Sequence, residues 1–199
     1  MLKKTLLLSI IIFTGMLANA QTADPVYDQY LDFNLARFQN EGPDKILELG
    51  EKLLPVADKL PEKARANFYF SIGKTYEDTG KPDKAIIYYE KVAAAIPNYY
   101  VVHRALGYLY LDKARQIETK LNAAATNAAL NKQLTVAYTD EVKKALPHLE
   151  KAQACDPSDE TLAIIKILHK NIKDTDGLNS LDDRLKMLGK NCIDILGDN

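Results

Sequence analysis

The tripeptide Pro-Asp-Lys occurs twice, at residues 43–45 and 82–84, and superimposing the copies also superimposes Glu51-Lys52 on Glu90-Lys91. A chain that repeats itself with a period in the thirties to low forties is built from equal units. Each unit is too small to bury its own apolar face, so the units must stack. The unit is helical. After residue 25 apolar residues recur at spacings of three and four, Ala, Leu, Lys and Glu dominate, and no alternating β-branched run appears. Breaks rich in Gly, Pro, Asn or Asp fall at 40–43, 60–63, 79–82, 97–99, 156–158 and 174–179. Helices of about 12–18 residues joined by turns this short pack as antiparallel neighbours. The expected fold is therefore all-α, a solenoid of antiparallel helix pairs.

The stretch from Ala66 to Tyr99 resembles the tetratricopeptide repeat. With Ala66 as position 1, positions 4, 7, 8 and 11 are Tyr69, Ile72, Gly73 and Tyr76, and positions 20, 24, 27 and 32 are Ala85, Tyr89, Val92 and Pro97. Gly73 and Ala85 are small where the two helices of a unit cross. The tyrosines fill the space around them, and Pro97 cannot continue the second helix. A mid-helix Gly costs about 1 kcal/mol relative to Ala, so its place at the crossing has a packing purpose.

Residues 100–158 begin another copy, with His103 at position 4 and Leu106, Gly107 and Tyr110 at 7, 8 and 11. The closing half, Ala145, Leu149, Ala152 and Pro157, arrives late. The intervening insertion, about residues 114–139, keeps helical spacing through Leu121, Leu130, Leu134 and Ala137. It predicts two lengthened helices forming a projecting hairpin with its tip near Asn122–Asn131. Pro147 is expected to kink or break the second of them near Lys143–Lys144, and Pro55 to do the same earlier. Residues 28–65 read as a degenerate first unit with Leu31, Leu35 and Phe38 facing inward and Gly50 in the second helix. Residues 159–195 read as a capping pair whose apolar stripe is Leu162, Ile165, Leu168, Leu181, Leu185 and Leu188, with Lys166 in place of the glycine.

Residues 1–20 are a separate object. Lys3 and Lys4 precede an apolar run from Leu6 to Met16, and Ala18-Asn19-Ala20 offers small residues for cleavage. That pattern is a secretory signal, and the run is too short for a spanning helix. The mature chain then has 179 residues, 24 basic and 27 acidic. Charges this balanced and interspersed give no electrostatic case for nucleic acid or anionic lipid. Export to the periplasm, or secretion, places the chain where disulfides persist. Cys155 and Cys192 fall near the ends of consecutive second helices, which permits a bridge. The alternative is two reduced thiols acting as small apolar fillers.

The residues carry no catalytic motif: no phosphate-binding Gly loop, no H-E-x-x-H, no C-x-x-C and no nucleophile elbow. His103 and His169 take inward positions, where a histidine bonded to a neighbour is the usual finding. His148 and Cys155 share one helix face but complete no four-ligand set. The expectation is no enzyme, no metal and no cofactor.

The resemblance implies a different use, capture of a protein or peptide in the concave face lined by positions 2, 5, 9, 12 and 13 of each first helix. In the second unit these are Asn67, Phe70, Lys74, Glu77 and Asp78. In the third they are Val101, Arg104, Tyr108, Leu111 and Asp112, and in the first Gln29, Asp32, Ala36, Gln39 and Asn40. Phe70, Tyr108 and Leu111 beside Lys74 and Arg104 suit an extended or helical peptide. The alternatives are that the terminal helices or the hairpin cover this face, or that the convex face serves a cell-envelope assembly. The hairpin offers a second contact or an arm for self-association. The carboxylate clamp of co-chaperone tetratricopeptide domains is missing, since its positions hold Asp32, Ala36, Ser71, Val101 and Ala105. Intact-mass measurement of the chain recovered from its own cell envelope is expected to begin at Gln21. An intact Met1 overturns the export reading.

Overall fold

A computed structural model describes residues 24–124 and 126–196, so the signal segment read at 1–20 lies outside the described residues. Helices run in chain order as α1 (Pro25–Phe38), α2 (Pro43–Leu53), α3 (Glu62–Asp78), α4 (Pro82–Ala95), α5 (Tyr100–Ala123), α6 (Ala128–Cys155), α7 (Asp159–Asn171), α8 (Thr175–Asn179) and α9 (Leu181–Leu188). They form an all-α tetratricopeptide-like solenoid of antiparallel pairs, with α5 and α6 lengthened into the hairpin. Among the described residues there is no sheet, only one isolated parallel bridge between Tyr99 and Ile193. No helix of these residues is long and apolar enough to cross a membrane.

The repeated Pro-Asp-Lys starts α2 and α4. Pro43 and Pro82 sit in the first turn, where a missing N–H costs nothing, and Asp44 and Asp83 place negative charge at the positive end of the helix dipole. Gly80 ends the preceding helix at φ +68°, a left-handed conformation that side chains resist. The repeated glutamate has a separate task. Tyr76 of α3 donates its phenol to Glu51 of α2 at 2.9 Å, and Tyr110 of α5 donates to Glu90 of α4 at 2.9 Å. Each position-11 tyrosine thus ties its helix to the carboxylate of the preceding pair. Burial and the adjacent carboxylate raise both phenol pKa values, which keeps the donors protonated.

Within pairs, close approach is set by missing side chains. A Cβ on Gly73 would lie 2.9 Å from two ring carbons of Tyr89 and 3.5 Å from the Ala85 carbonyl. On Gly107 it would lie 2.7 Å from Leu149 Cδ2 and 3.0 Å from the Leu149 backbone nitrogen. The nearest atoms to Gly107 thus belong to Leu149, one turn beyond the fully buried Ala145. Tyr89, Ala85, Val92, Leu106, Ala145 and Leu149 are all completely buried.

Three expectations change. Leu31, Leu35 and Phe38 do not face inward: they are 49%, 53% and 92% exposed, while Val26, Tyr30, Phe33 and Ala36 are buried. The cause is register. The two Pro-Asp-Lys copies are 39 residues apart, so Tyr30 and Phe33 stand where Tyr69 and Ile72 do, and the first unit begins at Tyr27 instead of residue 28. Pro147 does not break α6, which continues from Ala128 to Cys155. The proline withholds a donor from the Lys143 carbonyl, but burial of Leu146, Leu149 and Glu150 on either side of it holds the helix together. The turn expected at 174–179 contains the single-turn α8. Pro55 behaves as anticipated, since α2 gives way at Leu54 to a 3-10 segment ending at Lys59.

A Gly107→Val chain is expected to lose about 2–3 kcal/mol of stability, because the Leu149 backbone cannot retreat as a flexible side chain could. Urea unfolding measures this, and an unchanged midpoint contradicts the crossing assignment.

Candidate functional site: the concave groove

On the first helices, Asn67, Phe70 and Ser71 of α3 face Tyr30, Asn34 and Arg37 of α1 across a cleft of about 400 Å³. Tyr99 and the segment Asp194–Leu196 complete its walls. Phe70 is half-buried and fixed by two rings, Tyr89 at 5.6 Å and Tyr99 edge-on at 5.3 Å. Outside the cleft, α1 presents Tyr27, Leu31, Leu35 and Phe38 on one exposed stripe. At about 100° per residue, Asn34 falls between the buried Tyr30 and this stripe, so the apolar surface continues the cleft wall outward. The repeat positions counted from residue 28 place the polar Gln29, Asp32, Gln39 and Asn40 on this face together with Ala36. Ala36 is instead buried, and the one-residue register correction puts Leu31, Leu35 and Phe38 there.

The other groove candidates are engaged to different degrees. Lys74 is exposed and ion-pairs along its own helix with Asp78, while Glu77 accepts from the Tyr89 phenol at 2.7 Å. At the third pair the face is largely covered. Leu111 is buried, Tyr108 shares a hydrogen bond with Thr161 of α7 at 2.9 Å, and Arg104 pairs with Asp156 at 2.5 Å. Asp112 stays exposed and meets Arg115 at 3.4 Å. The open groove is consequently the part built by α1 and α3, and α7 fills the part expected at Tyr108 and Leu111.

Two polar centres escaped sequence reasoning. Glu150 of α6, almost fully buried, accepts from Arg184 Nε at 2.9 Å and Nη2 at 2.6 Å, and its Oε1 lies 2.9 Å from His169 Nε2. Asp174 contacts His169 Nδ1 at 2.9 Å. This network floors a cleft of about 770 Å³ whose apolar walls include Leu146, Pro147, Ile172, Met187 and Leu188. The second centre is Lys151, only 5% exposed, whose ammonium donates to Asn98 Oδ1 (3.1 Å) and to the carbonyls of Leu188 (2.9 Å) and Asn191 (2.6 Å). All three donors of the ammonium are satisfied, which burial of a charge demands. Neither centre carries a local sequence motif, because each draws on residues more than 30 positions apart. Cys155 and Cys192 are joined (S–S 2.15 Å, Cα–Cα 5.6 Å). Cys192 lies beyond α9 rather than on a helix end.

His103 and His148 meet through their Nδ1 atoms at 2.8 Å. His103 Nε2 lies 3.1 Å from the Pro97 carbonyl, which can only accept, so the proton sits on Nε2 and His103 Nδ1 accepts from His148. Protonating His103 puts a second hydrogen where His148 already points one. Burial first, then the neighbouring imidazole, lowers the pKa of His103 to about 4, and burial lowers that of His148. In the unfolded chain histidine titrates near 6.5. The unfolded state therefore binds the proton first, and stability is lost as pH falls from about 6.5 towards 4. After allowance for partial exposure the loss is about 1–2 kcal/mol. Urea midpoints between pH 7.5 and 4.5 should fall, and should fall less in His103→Gln. Equal slopes exclude the imidazole pair as the cause.

The tetratricopeptide-repeat family model matches residues 66–99, the α3–α4 pair with its glycine crossing and its groove residues Asn67 to Asp78. No curated protein and no solved structure matches the chain. Repeats of this family generally mediate protein–protein contacts and carry no chemistry of their own. With the Gly73 crossing in place and the α3–α4 pair stacked against α5, residues 66–99 are a tetratricopeptide repeat and the chain is a tetratricopeptide-repeat-containing protein.

Proposed function

We propose that the chain is an exported, non-catalytic adaptor that takes a protein or peptide partner in the groove between α1 and α3. The observation that carries this reading is the stripe Tyr27, Leu31, Leu35 and Phe38, left in water along three turns at the rim of the cleft. Contiguous exposed apolar side chains rimmed by polar ones mark a contact surface. Their spacing of four, four and three is that of a helix face offered to a partner. Arg37, exposed at the edge of the cleft, places positive charge beside the apolar surface, which favours an acidic partner segment. The Cys155–Cys192 bridge supports an oxidising, exported location.

The experiment is capture of partners from the organism's own envelope extract, comparing the natural chain with a Leu35→Glu/Phe38→Glu chain. Both positions are exposed, so the fold is expected to survive. Each lost apolar anchor is worth about 1.5–3 kcal/mol if fully buried by a partner, so capture should weaken at least tenfold. Equal capture removes the groove and moves the contact to the convex face, the alternative drawn from the sequence.

A further inference from the structure

The segment after α9 is tied down at four points. Cys192 is bonded to Cys155 at the end of α6. Lys151 holds the carbonyls of Leu188 and Asn191. The Ile193 N–H donates to the Asn98 carbonyl at 2.8 Å, and the Ile193 carbonyl accepts from the Tyr100 N–H at 3.1 Å, a parallel pairing with the α4–α5 turn. Beyond it Asp194, Ile195 and Leu196 form one wall of the cleft whose other walls are α1 and α3, and Leu196 packs half-buried against the core. The segment thus runs along one side of the groove, paired through the Ile193 backbone and seated by Leu196, while Ile193 and Ile195 stay 39% and 71% exposed. Peptides dock on exposed backbone edges in this way.

We propose that residues 193–196 are an intramolecular ligand of the groove, latched by the Cys155–Cys192 bridge, and that the groove's external partner is an extended apolar–acidic peptide entering by the same pairing once the bridge is reduced. This rests on the groove reading above. The occupant supplies the chemistry of the partner. Ile-Asp-Ile-Leu offers branched apolar side chains around one carboxylate, and the cleft presents Phe70 and Tyr99 beside Arg37. The bridge fixes Cys192 one residue before Ile193, so in the oxidised chain the segment is anchored beside the groove and leaves it only by breaking the Ile193 pairing and the Leu196 contact. Anchored this close, the segment competes with a free peptide at an effective concentration of about millimolar, which falls when reduction lengthens the tether. The reductant is a dithiol. It gives two electrons and two protons to the S–S bond, becomes a cyclic disulfide itself, and leaves two thiols. The pairing at Ile193 then depends on two exposed-edge hydrogen bonds and Lys151, few enough contacts for local opening.

The probe is a fluorescein-labelled peptide of residues 193–199, Ile-Asp-Ile-Leu-Gly-Asp-Asn, titrated by anisotropy against the full chain. Amide hydrogen exchange at Ile193 and Tyr100 reports the segment independently of any partner. In the oxidised chain both amides should be protected and the peptide should bind weakly. In dithiothreitol, and in Cys192→Ser, protection should drop and affinity rise, each at least tenfold. Ile193→Pro keeps the bridge but deletes the donor to Asn98, so it should raise affinity without reduction, and it carries the test if Cys192→Ser does not fold. Unchanged protection on reduction overturns the latch. Lost protection with no gain in peptide affinity overturns the intramolecular-ligand assignment. Failure of the groove reading is separate, because it appears as equal partner capture by the Leu35→Glu/Phe38→Glu chain while the exchange result stands.

Discussion

Close approach of paired helices at two glycines is the constraint from which the rest follows. At Gly73 the ring of Tyr89 lies where a Cβ would be, and at Gly107 the side chain and backbone of Leu149 do. Helices held this near can bury whole tyrosines between them, and Tyr76 and Tyr89 are among the most completely buried side chains in the chain. A larger residue at either glycine would separate the pair and open a gap that no neighbour is shaped to fill. The helix cost of each glycine is offset by the apolar area that the approach buries.

Stacking one pair on the next uses a different interaction. Tyr76 reaches back to Glu51, and Tyr110 to Glu90, so a buried phenol and a rim carboxylate join successive pairs. The duplicated Glu-Lys is the trace of this joint in the sequence. Phenol and carboxylate satisfy one another, and the tyrosine body stays in the core while its hydroxyl reaches the edge. The stack in turn sets α1 beside α3, which creates the cleft and leaves the outer face of α1 in water.

The groove is neither as polar nor as long as its residues implied. One end is closed by α7 through Tyr108, Thr161 and Leu111, and the other is more apolar because Leu31, Leu35 and Phe38 stand exposed at its rim. Beside it runs the segment 193–196, paired with the α4–α5 turn and anchored through Asn191 and Cys192 by Lys151 and the disulfide.

Much was legible because it is local. Proline and aspartate at helix starts, glycine at crossings and apolar spacing of three and four act within one helix or one turn, and they specify helices, pairs and the hairpin from sequence alone. The face of α1 was misread because it carries two apolar stripes, Val26-Tyr30-Phe33 and Tyr27-Leu31-Leu35-Phe38, and periodicity cannot say which meets the core. Packing against Phe68 and the second pair chooses between them, as the edge-on contact of Phe33 with Phe68 at 5.1 Å shows, and the 39-residue offset of the Pro-Asp-Lys copies carries the same register. The Glu150–His169–Arg184 network, the ammonium of Lys151 and the seat of residues 193–196 depend on chain segments brought together from 15 to 95 positions apart. The sequence by itself determined the repeating helical unit, since that rests on neighbours along the chain. Which surfaces stay open, and what occupies them, only the tertiary structure decided, because burial is a property of the assembled stack.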